Sequence, residues 1–472
     1  MEPTEFRARR IPSRLCAAVV TSVPMLVPAV HRAAEGHDGD RPAADPARKF
    51  LRFTALIILS GIFLQRFGPI LGGSYLCIVG PIGIVLAAYA TLSGTLTFHL
   101  PRLMVFLALV GWILIGASIR STFPDLYAAP PSWNSFGQFV GLTAFGVLVS
   151  AQPIEERRFL RVVNACLVIV AVAGILQFVL QFVGLGLFSF RGLVPENWLL
   201  EAPFYNTAIE IGTTGYFKSN GFFTVEPSVF SQYMALAIII EVLMLRRPLP
   251  LLLFGAGLMC SQSGTGWLMI FSFLVAATLS LGGRGILICI ATLIVCGVGL
   301  GALALFFPAG FDLFVSRTGE FSEIGTSGNL RFVTPWQIGA YVLDRTPWAA
   351  LYGLGAGVSE HLGMRPPWDY NLNPPVKISL EYGLPAFILY VMFLLTARRT
   401  RVQTALLIPV LVLQMLTGGY QQFAPILFPA MLLIMVAELI PAEISDLRPA
   451  PLPPQPASTG GIMPLKSAAR TP

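Results

Sequence analysis

Apolar runs long enough to cross a lipid bilayer recur along almost the whole of this 472-residue chain, and that recurrence limits what it can fold into. A hydrocarbon core asks for about 20 apolar residues per helical crossing. The expected fold is therefore an all-α polytopic membrane protein. Composition agrees: 55% of residues are hydrophobic, 12% are charged and mean hydropathy is +0.73, far from the balance of a soluble domain.

Reading the runs gives about twelve expected spans, near 53–69, 71–92, 101–119, 134–151, 162–184, 225–245, 248–262, 264–281, 285–307, 376–397, 402–419 and 424–441. The chain then divides into an N-terminal region (1–50), a membrane domain (51–441) and a Pro-rich tail (442–472). Polar, Pro-containing ends of this kind cannot bury a core and are expected to be largely disordered; residues 449–472 alone hold seven prolines. Leu15 to Val30 is a further apolar stretch. It is short for a span and carries Pro24 and Pro28, so an interfacial segment competes with a thirteenth crossing that would move the N-terminus to the other side.

Charge sets the expected orientation. With the N-terminus inside, 22 of the 31 Lys and Arg fall in inner segments, and every short inner connection holds at least one. Both termini are then cytoplasmic. The nine outer cations are Arg66, Arg120, Arg191, Lys218, Arg317, Arg331, Arg345, Arg365 and Lys377. The net charge of +7 comes from these scattered anchors and does not point to nucleic acid. Five of the six cysteines lie in apolar runs and the sixth in the N-terminal region. None has metal-ligand spacing, so they read as small apolar residues.

Two connections are long, 185–223 and 308–375, and both are expected to face outward. The larger carries four arginines on the side where positive charge is normally scarce, which points to an anionic ligand. Thr334-Pro335-Trp336-Gln337 has the form of a capped helix start with Arg331 just ahead, a combination suited to phosphate; the alternative is a surface pair of Arg331 with Asp344, Glu320 or Glu323. Arg317 and Arg345 carry the same two readings. Glu226 precedes Pro227 at a helix start, where it can serve as a general base or merely complement the helix dipole. Glu381 can act at the site or simply pair with Lys377 at i−4. Glu241, with Arg246 and Arg247 close by, is expected to reach the inner interface. No metal-binding D-x-D lies outside the N-terminal region, and no H-E-x-x-H, P-loop or G-x-S-x-G occurs. No cofactor or metal is expected.

Gly221-Phe222-Phe223-Thr224-Val225-Glu226-Pro227-Ser228 resembles the Glu-Pro-Ser signature of the Wzy-like exopolysaccharide and O-antigen polymerases, relatives of the O-antigen ligases. Ser261-Gln262-Ser263-Gly264-Thr265-Gly266 resembles the same family. So do the order Arg331, Trp336, Pro347, Gly353-Leu354-Gly355, Asn373, Glu381-Tyr382-Gly383 and the Arg317/Gly328 spacing. Leu372 stands where many relatives, the ligases especially, carry a histidine, and His361, the loop's single histidine, comes too early to replace it.

The resemblance implies a GT-C-like fold in a bacterial inner membrane and a metal-independent glycosyltransferase. It would join undecaprenyl-diphosphate-linked oligosaccharides to a growing polysaccharide chain, alongside a flippase and chain-length or export proteins. Glu226, Arg331 and Arg317 would be catalytic, with Lys218, Arg191, Arg345, His361, Asn373 and Glu381 binding substrate. An O-antigen ligase and a non-enzymatic flippase or transporter of lipid-linked sugars are the competing expectations.

Overall fold

Continuous apolar sequence satisfies its own backbone only as helix, and helices dominate the computed structural model. It describes residues 46–71, 74–75, 77–122, 132–186, 188–200, 208–211, 215–306, 326–358, 372–396, 400–416 and 437–441. The chain divides into two units, 1–48 and 49–472, and the second carries the helical bundle. Among the described residues there are fifteen α-helices. They are α1 (Pro46–Leu64), α2 (Val79–Leu92), α3 (Leu100–Thr122), α4 (Trp133–Phe145), α5 (Glu156–Leu180), α6 (Pro227–Ile240), α7 (Pro248–Ser261) and α8 (Gly264–Leu281). After α9 (Gly283–Phe306) come α10 (Ser327–Phe332), α11 (Thr334–Arg345), α12 (Ala349–Tyr352), α13 (Pro374–Tyr382), α14 (Leu384–Leu395) and α15 (Arg401–Leu416).

The protein is a helical membrane protein. Among the described residues, four segments are long and apolar enough to cross a bilayer: Leu100–Thr122, Glu156–Val183, Pro227–Leu245 and Gly264–Leu281. Several other apolar helices are shorter. Helix α7, with 14 residues, spans roughly 21 Å at 1.5 Å per residue, against a hydrocarbon core of about 30 Å. Some expected spans have different limits. The run 71–92 opens with a hairpin, Ile70–Leu71 against Ser74–Tyr75, and becomes helical only at Val79. The run 134–151 ends as a strand, Leu148–Ser150, paired with Leu96–Phe98. The run 376–397 breaks at Gly383 (φ 87), where an added Cβ would strike the Leu351 carbonyl. Most of the expected span 424–441 and all of residues 15–30 lie outside the described residues.

Helix α6 is the centre of the packing. In its apolar window 83% of residues are buried, against 44% or less in the other three long segments. It packs on α5, α7 and α8, and α8 in turn packs on α15 and α9. Polar contacts gather at two opposite ends of these helices. At one end Arg102 donates to the Gly146 and Leu148 carbonyls (3.0 and 3.2 Å), Thr400 donates to Glu156 (2.7 Å) and Arg284 donates to the Leu243 carbonyl (3.0 Å). Glu241 belongs here too, but instead of reaching the interface it is fully buried. A left-handed Arg246 (φ 54) turns the chain so that Arg247 returns to Glu241 at 2.5 Å, and Asn164 of α5 donates to the same carboxylate at 2.6 Å. The pairing follows from the sequence; the burial follows from α5 packing across it.

At the other end Arg120 of α3 donates to the Leu354 carbonyl, and Gly355 (φ 104) lies so close that an added Cβ would fall within the Arg120 guanidinium. Gly355→Ala is therefore expected to lower the thermal midpoint in detergent by the equivalent of about 2 kcal/mol or more. Gly94→Ala is the comparison, since Gly94 also has positive φ (69) but open space around it. It should show only the backbone cost of roughly 1 kcal/mol. Equal midpoints for the two variants would rule out the Arg120 contact as the cause.

Candidate functional site

Two segments singled out in the sequence, Gly221–Ser228 and Ser261–Gly266, dock on one another at the N-terminal end of α6. The turn between α7 and α8 uses a left-handed Gln262 (φ 47), which sends the chain back antiparallel. Thr265 then donates its hydroxyl to the Ser228 carbonyl at 2.9 Å, and Ser231 Oγ accepts the Gly266 N–H at 3.1 Å. Gly266 is required by closeness: an added Cβ would lie 2.6 Å from the Ser231 carbonyl oxygen.

The turn and bend residues ahead of α6 are held from three directions. Gln65 accepts the Val225 N–H (3.1 Å), and Arg66, fully buried, donates from Nε to the Thr224 carbonyl (2.7 Å) and from Nη1 to the Phe188 carbonyl (3.1 Å). Gln177 of α5 donates to Asn220 (2.8 Å) and accepts the Asn220 N–H (3.0 Å). Phe222 has φ 61, a left-handed conformation that a bulky residue rarely adopts. It is sustained because its N–H is accepted by Gln177 and Asn220 together (3.2 and 3.1 Å). Backbone strain held in place by surrounding bonds is a common feature of functional sites.

This scaffold presents Glu226. Its backbone is extended (φ −151, ψ 162) and it occupies the cap position of α6, with Pro227 in the first turn. The carboxylate does not cap the helix. It accepts the Ser228 hydroxyl on Oε1 and receives Nη2 of Arg331 on both oxygens, at 3.1 and 2.9 Å. The two side chains are 105 residues apart in sequence and keep 20% and 17% exposure, so the pair sits in a partly open position. Nη1 and Nε of Arg331 have no hydrogen-bond partner among the described residues.

Arg331 is not placed as the sequence pattern implies. Thr334 and Gln337 do not form a capping box. Residues 327–332 are already helical as α10, and only Val333 separates α10 from α11, so Thr334 falls inside the first turn and donates its hydroxyl to Asn329 instead (3.0 Å). Arg331 lies in the last turn of α10 and reaches across to Glu226. Pairing with Asp344 does not occur; Glu320 and Glu323 lie outside the described residues.

The other expected site residues separate. Arg345 is exposed and stacks on Tyr341 of its own helix, 3.6 Å from guanidinium carbon to ring centre. Arg191 is exposed on the first loop, and Lys218 precedes the buried Ser219 with its N–H bonded to the Ile209 carbonyl (2.8 Å). Asn373 caps α13 by accepting the Val376 N–H at 3.2 Å. Glu381 is buried and pairs with Lys377 at 3.5 Å, the structural alternative of the sequence pattern. Arg317, His361 and Arg365 lie outside the described residues. Sequence reasoning missed Gln65, Gln177, Asn220 and the structural use of Arg66. The signal was there, since Gln65 and Gln177 are amides inside apolar runs, where a polar side chain needs a partner.

Chemically the arrangement is a carboxylate at a helix start, oriented by a hydroxyl and a guanidinium, in a partly exposed position. No protein-family model and no curated protein matches the chain.

Proposed function

We propose that this chain is an exopolysaccharide polymerase, joining undecaprenyl-diphosphate-linked oligosaccharide units on the outer face of a bacterial inner membrane. The observation that carries the reading is the Glu226–Arg331 contact, which places a potential base beside a potential phosphate-binding cation at the mouth of the most buried helix. In this reading about twelve spans cross the membrane, both termini are cytoplasmic, and the Glu226 end faces outward with the loops 185–223 and 308–375.

The chemistry needs few parts. The acceptor hydroxyl of a sugar attacks the anomeric carbon of the donor, and the bond from that carbon to the diphosphate oxygen breaks. Glu226 takes the hydroxyl proton, and the lipid diphosphate leaves with the bonding electrons. Arg331, with Arg317 and the loop cations Lys218 and Arg191 as further candidates, offsets the charge that develops on the leaving group. Oε1 accepts from both Ser228 and Arg331 while Oε2 accepts from Arg331 alone, so Oε2 keeps a lone pair for the acceptor hydroxyl.

The test is an analysis of lipid-linked intermediates in cells lacking the protein. Single repeat units accumulating on the outer face, with polymer restored by the full chain but not by Glu226→Gln, is the expected result. Repeat units trapped on the inner face would mean a flippase. Full-length polymer lacking only its transfer to a final acceptor would mean a ligase.

A further inference from the structure

The end of α6 opposite Glu226 gathers three arginines around a single turn. Glu241 opens the π-helical turn Glu241–Leu245 in which α6 ends, and its carboxylate is fully buried. Arg247 is bound to that carboxylate through its backbone N–H (3.1 Å), Nε (3.3 Å) and Nη2 (2.5 Å). Arg284, at the start of α9, donates Nη2 to the Leu243 carbonyl of the same turn at 3.0 Å. Arg246 closes the turn. Its N–H bonds the Glu241 carbonyl (2.7 Å), and its φ of 54 is a left-handed conformation that a long side chain seldom takes. Arginines that only set the orientation of a membrane chain need no fixed geometry, because net charge suffices. Here bonds from two helices and a strained residue fix three of them against one carboxylate. All three residues are exposed. Among the described residues, the Arg246 guanidinium, Nη1 of Arg247 and both Nε and Nη1 of Arg284 have no hydrogen-bond partner. Planar N–H groups in excess of acceptors suit the oxygens of a phosphate.

The geometry points to this turn as a binding site for the phosphate of an anionic phospholipid. The surface beside each arginine chooses a lipid over a soluble phosphate. Exposed Leu249 and Leu252 follow Arg247 on α7, and exposed Ile286 and Leu287 follow Arg284 on α9. A headgroup held by the arginines then has apolar side chains within about a turn and a half, on two helices, for its acyl chains. Charge chooses an anionic headgroup over a zwitterionic one. The three guanidiniums meet one carboxylate, and a lipid whose own ammonium cancels its phosphate brings nothing to offset the remainder. The inference does not depend on the reaction that the protein carries out.

The test is native mass spectrometry of the full chain, released from detergent micelles that hold phosphatidylglycerol and phosphatidylcholine in equal amounts with identical acyl chains. Phosphatidylglycerol is expected to stay bound in preference, and each arginine should contribute a factor of roughly five to its retention. Arg246→Asn, which suits a left-handed backbone, and Arg284→Gln should each lose about that factor, and the double variant roughly 25-fold. Arg345→Gln, on α11, removes an exposed cation elsewhere and should change nothing. Equal retention of the two lipids by the unsubstituted chain would overturn the inference without recourse to any variant. Undiminished phosphatidylglycerol on the double variant would overturn it too, leaving the arginines as orientation anchors. So would inorganic phosphate raising the thermal midpoint as far as phosphatidylglycerol does, since the site would then take a soluble anion.

Discussion

Arg331→Ala is expected to abolish polymer while the protein stays in the membrane at the level of the unsubstituted chain. The two halves of this expectation have different magnitudes. The ion pair with Glu226 is partly open, at 20% and 17% exposure, so its loss should cost stability only on the order of 1 kcal/mol, between the values for surface and buried pairs. Removing a cation that meets charge developing on a leaving diphosphate typically costs about 100-fold or more in rate. Arg331→Lys keeps the charge but loses the planar donor set, and Nη1 and Nε are the donors left over from Glu226, so partial activity is expected. Glu226→Gln preserves shape and the contact to Ser228 but cannot take a proton, and should lose a comparable factor. If the two residues act as one unit, the double variant will be no worse than either single variant. Normal polymer from Arg331→Ala, measured as chain length and amount in complemented cells, would remove Arg331 from the site.

Arg66→Ala is expected to fail in the opposite way, by loss of the fold around the site. Arg66 is fully buried and its guanidinium satisfies two carbonyls, Thr224 at 2.7 Å and Phe188 at 3.1 Å, that belong to separate segments. Each carbonyl left without a donor costs about 1–3 kcal/mol, and the vacated volume adds to that. A total of roughly 3–5 kcal/mol would bring a typical protein close to unfolding. The measurement is the thermal midpoint in detergent together with the amount recovered from membranes, both expected to fall sharply. Arg66→Lys restores one donor and should recover only part. Arg345→Ala is the contrasting case: it is exposed and stacked on Tyr341, and the expected change is within about 0.5 kcal/mol. A wild-type midpoint for Arg66→Ala would mean that Gln65 and Gln177 hold the Glu226 segment without it.

Much of this was legible in the sequence, because the strongest signals in a membrane chain are local. An apolar run declares a helix whatever surrounds it, and α3, α5, α6 and α8 lie where the runs place them. The turn at Ser261–Gly266 was legible for the same reason, since small and polar residues interrupt an apolar stretch. Limits were less legible. Residues 70–71 and 148–150 are apolar enough for helix yet pair as strands, and that choice depends on a partner segment supplied by the fold. The capping pattern at Thr334 failed because α10 precedes it directly, which no local motif announces.

Residue chemistry read along the chain was enough to establish that this protein lives in a membrane, that it is helical, and which carboxylate and which loop arginine were worth following. Hydropathy and charge are properties of residues, and the bilayer reads them one segment at a time. It took the packed molecule to show that Glu226 and Arg331 are partners rather than two independent groups, that Ser261–Gly266 seats itself on the Glu226 helix, and that Arg66 is structural. Packing also settles that Glu381 pairs with Lys377 and that Arg345 turns away to Tyr341. Each of these outcomes depends on which donors and acceptors come within about 3 Å of one another. Across 105 residues of chain, that distance is set by helices packing on α6, and no pattern in the intervening sequence carries it.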